Sequence, residues 1–186
     1  KSLGNNEFVF YTLICFVFIF IGAAVLYLRG DVSLGKAFLD GAFHIVSIIS
    51  TTGFYTQDYN LWGYLMILII FILMFTGGTA GSTSGGIKII RLLLITKNNR
   101  QELKRLIHPN AFIPVRLDKH IIQQSSIHNI LVFITLYFFV ICLSTFIISS
   151  MGYDMVTSFS TSASMLGNIG PSLGNFGPFT NYSTVP

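Results

Sequence analysis

His44-Ile-Val-Ser-Ile-Ile-Ser-Thr-Thr-Gly-Phe-Tyr-Thr-Gln-Asp58 is the stretch on which the reading of this chain turns. An apolar run carrying small hydroxyl residues stops at Ser50-Thr51-Thr52-Gly53 and becomes polar within a few positions. Such a run is too short to cross a bilayer, which takes roughly 20 residues of helix. It reads as a segment that enters the membrane, turns on a glycine and leaves on the same side. The expectation is an ion-selectivity loop.

Composition supports a membrane setting. The 186 residues are 52% hydrophobic and only 10% charged, with 18 Phe, and mean hydropathy is +0.70. A water-soluble domain carries about 25% charged residues, so most of this surface is expected to face lipid. Cys15 and Cys142 both sit inside apolar runs, which suggests packing and no disulfide framework. The chain begins at Lys1 and stops at Pro186 without a closing element, so both ends read as cut. The first apolar run is too long for a signal-peptide core of about 7–15 residues and reads as a true span.

Taken in order, Phe8–Leu28 is an uncharged span, with Tyr27 and Arg29 at its interface end. Gly30 to Ser33 breaks the helix, with Ser33 as a candidate cap for the short segment Leu34–Ile49. Leu61–Phe75 is strongly apolar but short. It leads into Thr76-Gly-Gly-Thr-Ala-Gly-Ser-Thr-Ser-Gly-Gly86 and resumes at Ile87–Ile95. Glycine and serine at this density oppose continuous helix, so this span reads as two half-helices joined by irregular backbone. Such backbone survives at membrane depth only where protein buries it or water lines it. Lys97–Ser126 carries Lys97, Arg100, Lys104, Arg105, Arg116 and Lys119 against Glu102 and Asp118, which places it in the cytoplasm. His108-Pro109 and Ile113-Pro114 are expected to interrupt helix there. Ile127–Ile148 is a further span, and Asp154–Leu166 a second short segment ending at Gly167-Asn-Ile-Gly170-Pro171.

This order puts both short loops outside, with Asp31, Asp40, Asp58 and Asp154 against Arg29 and Lys36. A mildly acidic outer vestibule above a basic inner face favours cations arriving from outside. The chain divides into 1–96 (helix, loop, helix), a linker at 97–126, and 127–186 (helix and loop of a second repeat whose last helix is missing). An offset of 114 residues superposes Asp40 on Asp154, Ser50 on Ser164 and Gly53 on Gly167. The expected fold class is all-α and polytopic, in membrane helix–loop–membrane helix repeats. One such hairpin cannot close a pore, so several must surround an axis.

Backbone carbonyls aimed at a common axis can replace a cation's water shell. The filter candidates are therefore Ser50, Thr51, Thr52 and Gly53 in one loop, and Ser164, Met165, Leu166 and Gly167 in the other. Lys88 directly follows the Gly/Ser run. A charge within a span costs about 2.5–3.5 kcal/mol on insertion scales, so Lys88 is expected to pin that run as a gate; the alternative is that it snorkels to the interface with Arg91. The gate candidates are Gly77, Gly78, Thr79, Gly81, Ser82, Thr83, Ser84, Gly85, Gly86 and Lys88.

Val46–Phe54, Gly77–Lys88, Leu106-Ile-His-Pro109 and Leu166–Pro171 resemble the Trk/Ktr/HKT superfamily of potassium and sodium transport proteins, especially its TrkH-type membrane subunits. That resemblance implies four potassium-channel-like repeats around one pore, of which this chain looks like the third and most of the fourth. It also implies filter roles around Gly53 and Gly167, an intramembrane gating loop at Gly77–Gly86, a homodimer in the cytoplasmic membrane, and a cytoplasmic nucleotide-binding regulatory subunit. Potassium is the expected transported ion, with no cofactor, and glycine in both loops fits a potassium preference. A sodium-permeable or ion-coupled transporter, or a non-conducting scaffold, stays open.

Other readings are thinner. Gly81 and Gly86 have P-loop spacing, but Ile87 intrudes before Lys88 and Ile89 stands where a hydroxyl is needed. His44, His108, His120 and His128 have no metal-ligand spacing, so neither catalysis nor metal is expected. Asn181-Tyr-Ser183 is a chance-level glycosylation match. The basic stretch Lys97–Lys119 suits lipid headgroups and docking of the regulatory subunit, and nothing points to nucleic acid.

Overall fold

The computed structural model describes residues 6–30, 32–107, 114–118 and 120–180. The features noted at Asp31, His108-Pro109, Ile113, Lys119 and Asn181–Ser183 lie outside the described residues. The element order is α1 (Asn6–Leu28), α2 (Leu34–Ile49), a 3₁₀ turn (Tyr59–Trp62), α3 (Tyr64–Leu73), α4 (Ile89–Ile107), β1 (Arg116–Leu117), β2 (His120–Ile121), α5 (Gln124–Ser150), α6 (Met155–Gly167) and a second 3₁₀ turn (Gly174–Phe176).

The helices α1 and α5 are long and apolar enough to cross a membrane. Neither has a polar face, since lipid solvates most of the circumference of such a helix. What they bury is a narrow seam. In α1 the seam is Cys15, Ile19, Gly22, Ala23 and Leu26, while Phe16, Val17 and Phe20 stay exposed. Small residues let the backbones approach: a Cβ on Gly22 would lie 2.8 Å from the Ile45 Cδ1 atom, and one on Gly41 would lie 3.2 Å from the Ala23 amide nitrogen. Close packing through small residues is how helices associate where no hydrophobic force drives them together.

A short helix leans on each long one, α2 on α1 and α6 on α5, and α4 touches both α1 and α5. Ser33 occupies the N-cap position of α2, but its hydroxyl makes no capping bond. Asp154 does cap α6, accepting from the Thr157 N–H and hydroxyl. Those bonds hold its carboxyl below the usual range, so the cap's contribution is lost as pH falls through that lowered value.

One core joins the two halves, with Ile45, Ile48 and Ile49 of α2 against Met66, Ile70 and Leu73 of α3 and Ile169 and Leu173 beyond α6. Phe71 and Phe75 pack against Phe159 of α6 with their rings tilted, and Phe75 also meets Phe138 of α5. A smaller cluster of Leu94, Val115 and Ile127 ties α4 to the hairpin and α5.

The apolar run at Leu61–Phe75 and the helix that follows it are separated by irregular backbone. Helix stops at Leu73, and α4 begins only at Ile89. Between them Gly77 donates to the Ile87 carbonyl at 2.8 Å, Ile87 to Phe75 at 3.0 Å and Ile89 to Gly78 at 3.2 Å, which closes the neck of a loop. Beyond it α4 runs unbroken to Ile107, so the division drawn at residue 97 falls inside a helix and the basic residues Arg100, Lys104 and Arg105 ride on it. The β1–β2 hairpin is a small exception to the all-α expectation.

Gly41→Leu should wedge α1 from α2 and lower the melting temperature of the full-length protein in detergent, overpacking of this kind costing about 1–3 kcal/mol. An unchanged melting curve would contradict the close approach of these helices.

Candidate functional site

The two short helices end in turns built alike. Thr51 donates to Ile48 at 3.0 Å and Thr52 to Ser47 at 2.9 Å; Asn168 donates to Met165 at 3.1 Å and Ile169 to Ser164 at 2.9 Å. The Ser47 hydroxyl holds the Phe54 carbonyl at 2.7 Å, and the Ser164 hydroxyl holds the Pro171 carbonyl at 2.7 Å. Each pair is separated by 117 residues. Left-handed backbone recurs at the same offset, at Thr51 (φ 55) and Asn168 (φ 58), then at Gly53 (φ 74) and Gly170 (φ 107).

The offset of 114 expected from sequence is therefore corrected by three residues. Gly53 corresponds to Gly170, Ser50 to Gly167 and Asp40 to Thr157. Ser164 corresponds to Ser47 and lies within its helix, where it acts through its hydroxyl. The Ser164 and Met165 carbonyls both accept from the chain that caps α6. By contrast, the carbonyls of Thr51, Thr52 and Gly53, and those of Asn168 and Ile169, accept no hydrogen bond among the described residues.

Rungs tie each helix to the segment that returns from its turn. In the first loop Asp40 accepts from the Gln57 side chain at 2.8 Å. His44 is buried, 1% exposed. Its Nδ1 faces the Asp40 carbonyl at 2.9 Å, so that nitrogen carries the proton, and Nε2 accepts from the amides of Thr56 at 3.3 Å and Gln57 at 3.4 Å. In the second loop the Thr157 hydroxyl accepts from the Asn175 amide at 3.1 Å. Thr161 pairs with Ser172 at 2.9 Å, and Ser160 accepts from the Leu173 amide at 3.2 Å. Thus His44 is a packed structural histidine.

The loops are also laced to each other. The Tyr59 hydroxyl donates to the Ser172 carbonyl at 3.0 Å, and Asn60 accepts from the Gly174 amide at 3.2 Å. A Cβ on Gly53 would overlap the Ile169 carbonyl oxygen. Only glycine fits there, on both φ and space.

The Gly77–Gly86 loop sits against the second turn. Its neck glycines Gly77 and Gly78 are buried, and its tip at Ala80, Gly81 and Thr83 is exposed. Backbone stacks on backbone: a Cβ on Gly77 would overlap the Gly85 carbonyl, and one on Gly85 would overlap the Gly167 carbonyl. Gly167 itself lies beside Met74, where α3 ends, its added Cβ falling 3.2 Å from the Met74 carbonyl. Gly86 takes φ 69 to turn the chain back into α4. Lys88 reaches into the loop and donates to the carbonyls of Ser82 at 2.7 Å and Ser84 at 2.6 Å, with both hydroxyls near. Ser84 in turn accepts from the Gly78 amide at 2.7 Å, and Ser82 donates to Thr79 at 2.7 Å. Lys88 thus turns into the loop, whereas Arg91 lies over the Phe133 ring at 3.6 Å.

Two features escaped the sequence reading. Glu7 is buried, 8% exposed, and accepts from the Ala80 amide at 2.6 Å. The acidic vestibule is also less free than expected. Asp40 is bound to Gln57, Asp58 caps the first 3₁₀ turn through Asn60, and Asp154 caps α6. Asp40, Gln57 and Asp58 line a cleft of about 390 Å³ that also includes Arg29; the Arg29 side chain donates to the Leu61 carbonyl at 3.0 Å. Among the described residues no His, Cys, Asp and Glu group could hold a metal.

Long apolar helices around a buried polar loop assembly make this an all-α membrane protein. The profile of the TrkH family of cation transport proteins matches residues 7–185, and the chain belongs to that family. It is 35% identical over 156 residues to the Trk system potassium uptake protein TrkH of Halomonas elongata, covering 84% of this chain and 32% of that protein. It is 34% identical over 176 residues to the protein of the same name from Vibrio parahaemolyticus, covering 94% and 36%. The crystal structure of the potassium transporter TrkH from Vibrio parahaemolyticus superposes with a TM-score of 0.85 at 31% identity, covering 92% of this chain and 37% of that one. The chain thus spans about a third of the length of these relatives.

Ser47→Ala and Ser164→Ala should each cost about 1 kcal/mol of stability by releasing the carbonyl across the turn. Denaturant unfolding in detergent checks this; a loss at one serine only would contradict the equivalence of the two turns.

Proposed function

We propose that this chain is part of a potassium uptake protein and supplies two walls of its ion filter. The observation carrying this is the pair of turns with one hydrogen-bond pattern, 117 residues apart and packed against each other at Gly53 and Ile169. The filter residues are Thr51, Thr52 and Gly53 with Asn168, Ile169 and Gly170. The relatives named above are potassium uptake proteins, which supports the choice of ion.

The pore is completed by repeats like these. Met155, Val156 and Phe159 of α6 share an apolar groove with Ile67, Leu68 and Phe71 of α3. Their counterparts at an offset of 117, Phe38, Leu39 and Ala42 of α2, line a groove with no such helix beside it among the described residues. A half-helix like α3, from a further repeat, fits that face. In this reading residues 1–96 form a whole repeat, 97–126 the connection and 127–186 most of a second. The basic surface of α4 lies in the cytoplasm, the protein is multi-pass in the cytoplasmic membrane and dimeric, and the connection docks a nucleotide-binding regulatory subunit. The chemistry is transport without catalysis. The loop Gly77–Gly86, held by Lys88, is the gate beneath the filter.

Three substitutions test the filter in the full-length protein reconstituted in liposomes. Gly53→Ser and Gly170→Ser should each lower the potassium-to-sodium flux ratio, and Leu166→Ser should leave it unchanged. A ratio moved by Leu166→Ser and not by Gly170→Ser would contradict the assignment. For the gate, deleting Thr79–Ser84 should raise potassium flux without altering that ratio, and an unaltered flux would count against it.

A further inference from the structure

The gate loop has a second anchor, far from the first in sequence. Lys88 holds the later half of the loop through the Ser82 and Ser84 carbonyls. The earlier half is held from α1, where Glu7 accepts from the Ala80 amide at 2.6 Å, across 73 residues of sequence. Glu7 is buried although it lies in the first turn of its helix. A carboxylate is costly to bury unless bonded, and bonds to a charged acceptor are about twice as strong as neutral ones.

The end of α1 that carries Glu7 is itself fixed. The Asn6 amide, at the first residue of α1, donates to Asp118 Oδ1 at 2.9 Å. A carboxylate there also suits the positive end of the helix dipole. Asp118 sits between β1 and β2, and the Lys97 ammonium of α4 donates to the Arg116 carbonyl of the same hairpin at 3.1 Å. The hairpin therefore braces α1, which carries Glu7, and α4, whose first turn follows Lys88. The two anchors oppose each other in sign: an ammonium takes the loop's carbonyls, and a carboxylate takes its N–H.

We propose that Glu7 is a positioning residue of the gate, a latch that holds the loop tip at Ala80 in the closed position. This rests on the reading of Gly77–Gly86 as a gate. Because the Ala80 amide leaves Glu7 when the tip moves, the bond stabilises the closed state alone, and its loss shifts the balance toward open.

The test is potassium flux through the full-length protein in liposomes without its cytoplasmic partner. Glu7→Ala should raise flux roughly tenfold, the scale expected for one charge-assisted bond made in the closed state only. Glu7→Gln, which keeps an acceptor without the charge, should raise it less. Ala80→Pro removes the donor from the other side, leaves α1 untouched, and should match Glu7→Ala; it serves where Glu7→Ala does not fold. In flux, the double variant should do no more than either single one, because both remove the Glu7–Ala80 bond. The potassium-to-sodium ratio should stay fixed throughout. Deleting Thr79–Ser84 separates the two claims. If that deletion raises flux while Glu7→Ala and Ala80→Pro stay at the wild-type rate, or if their effects add, the latch is overturned and the gate stands. If the deletion leaves flux unchanged, the gate reading falls and the latch with it.

Discussion

Peptide backbone meets peptide backbone most tightly, among the described residues, at three glycines, and the arrangement of the loops depends on it. Gly53 lies against the Ile169 carbonyl, Gly85 against that of Gly167, and Gly77 against that of Gly85. A methyl group at any of the three would overlap an oxygen that cannot swing aside as a side chain could. The first contact sets the two turns side by side. The others seat the interrupted span directly under the second turn, against the end of α3. The turns and the Gly77–Gly86 loop are thus one packed assembly, and a displacement of the loop changes what Gly167 rests on.

The surroundings make the same demand of every polar atom. A membrane interior offers no water to a freed amide or hydroxyl, yet α6 buries Thr157, Ser158, Ser160, Thr161, Ser162 and Ser164. They are bonded locally: Ser160 to the Val156 carbonyl at 2.7 Å, Ser162 to Ser158 at 2.9 Å, and Ser164 across the turn. In α2 the work falls to Asp40, His44 and Ser47 at matching places. Different side chains carry out one task, tying a helix to its return segment, so the two loops share a bond pattern while sharing little sequence.

That is also why two turns can be expected from the sequence while their alignment cannot. The two long spans, the interruption after α3 and the turning of Lys88 into the loop are legible because hydropathy, glycine density and a charge set in an apolar run each restrict what the chain can do. Register has no such marker. Matching Asp40 with Asp154 and Gly53 with Gly167 relied on residue identity in a chain with 17 glycines, whereas the equivalence lies in backbone bonds from Thr52 and Ile169 that any residue but proline can make. Glu7 was missed for a related reason. A carboxylate at the start of a span reads as an interface residue, and its partner at Ala80 is brought to it only by the fold. The acidic vestibule was overread because a count of carboxylates does not reveal that Asp40, Asp58 and Asp154 are already bonded.

The most direct test of the paired turns as filter walls is anomalous diffraction from crystals of the full-length protein grown with rubidium in place of potassium. Anomalous density is expected on the axis beside Thr51–Gly53 and Asn168–Gly170. Density beside Ser164–Leu166, or none next to either turn while rubidium binds elsewhere in the pore, would contradict it.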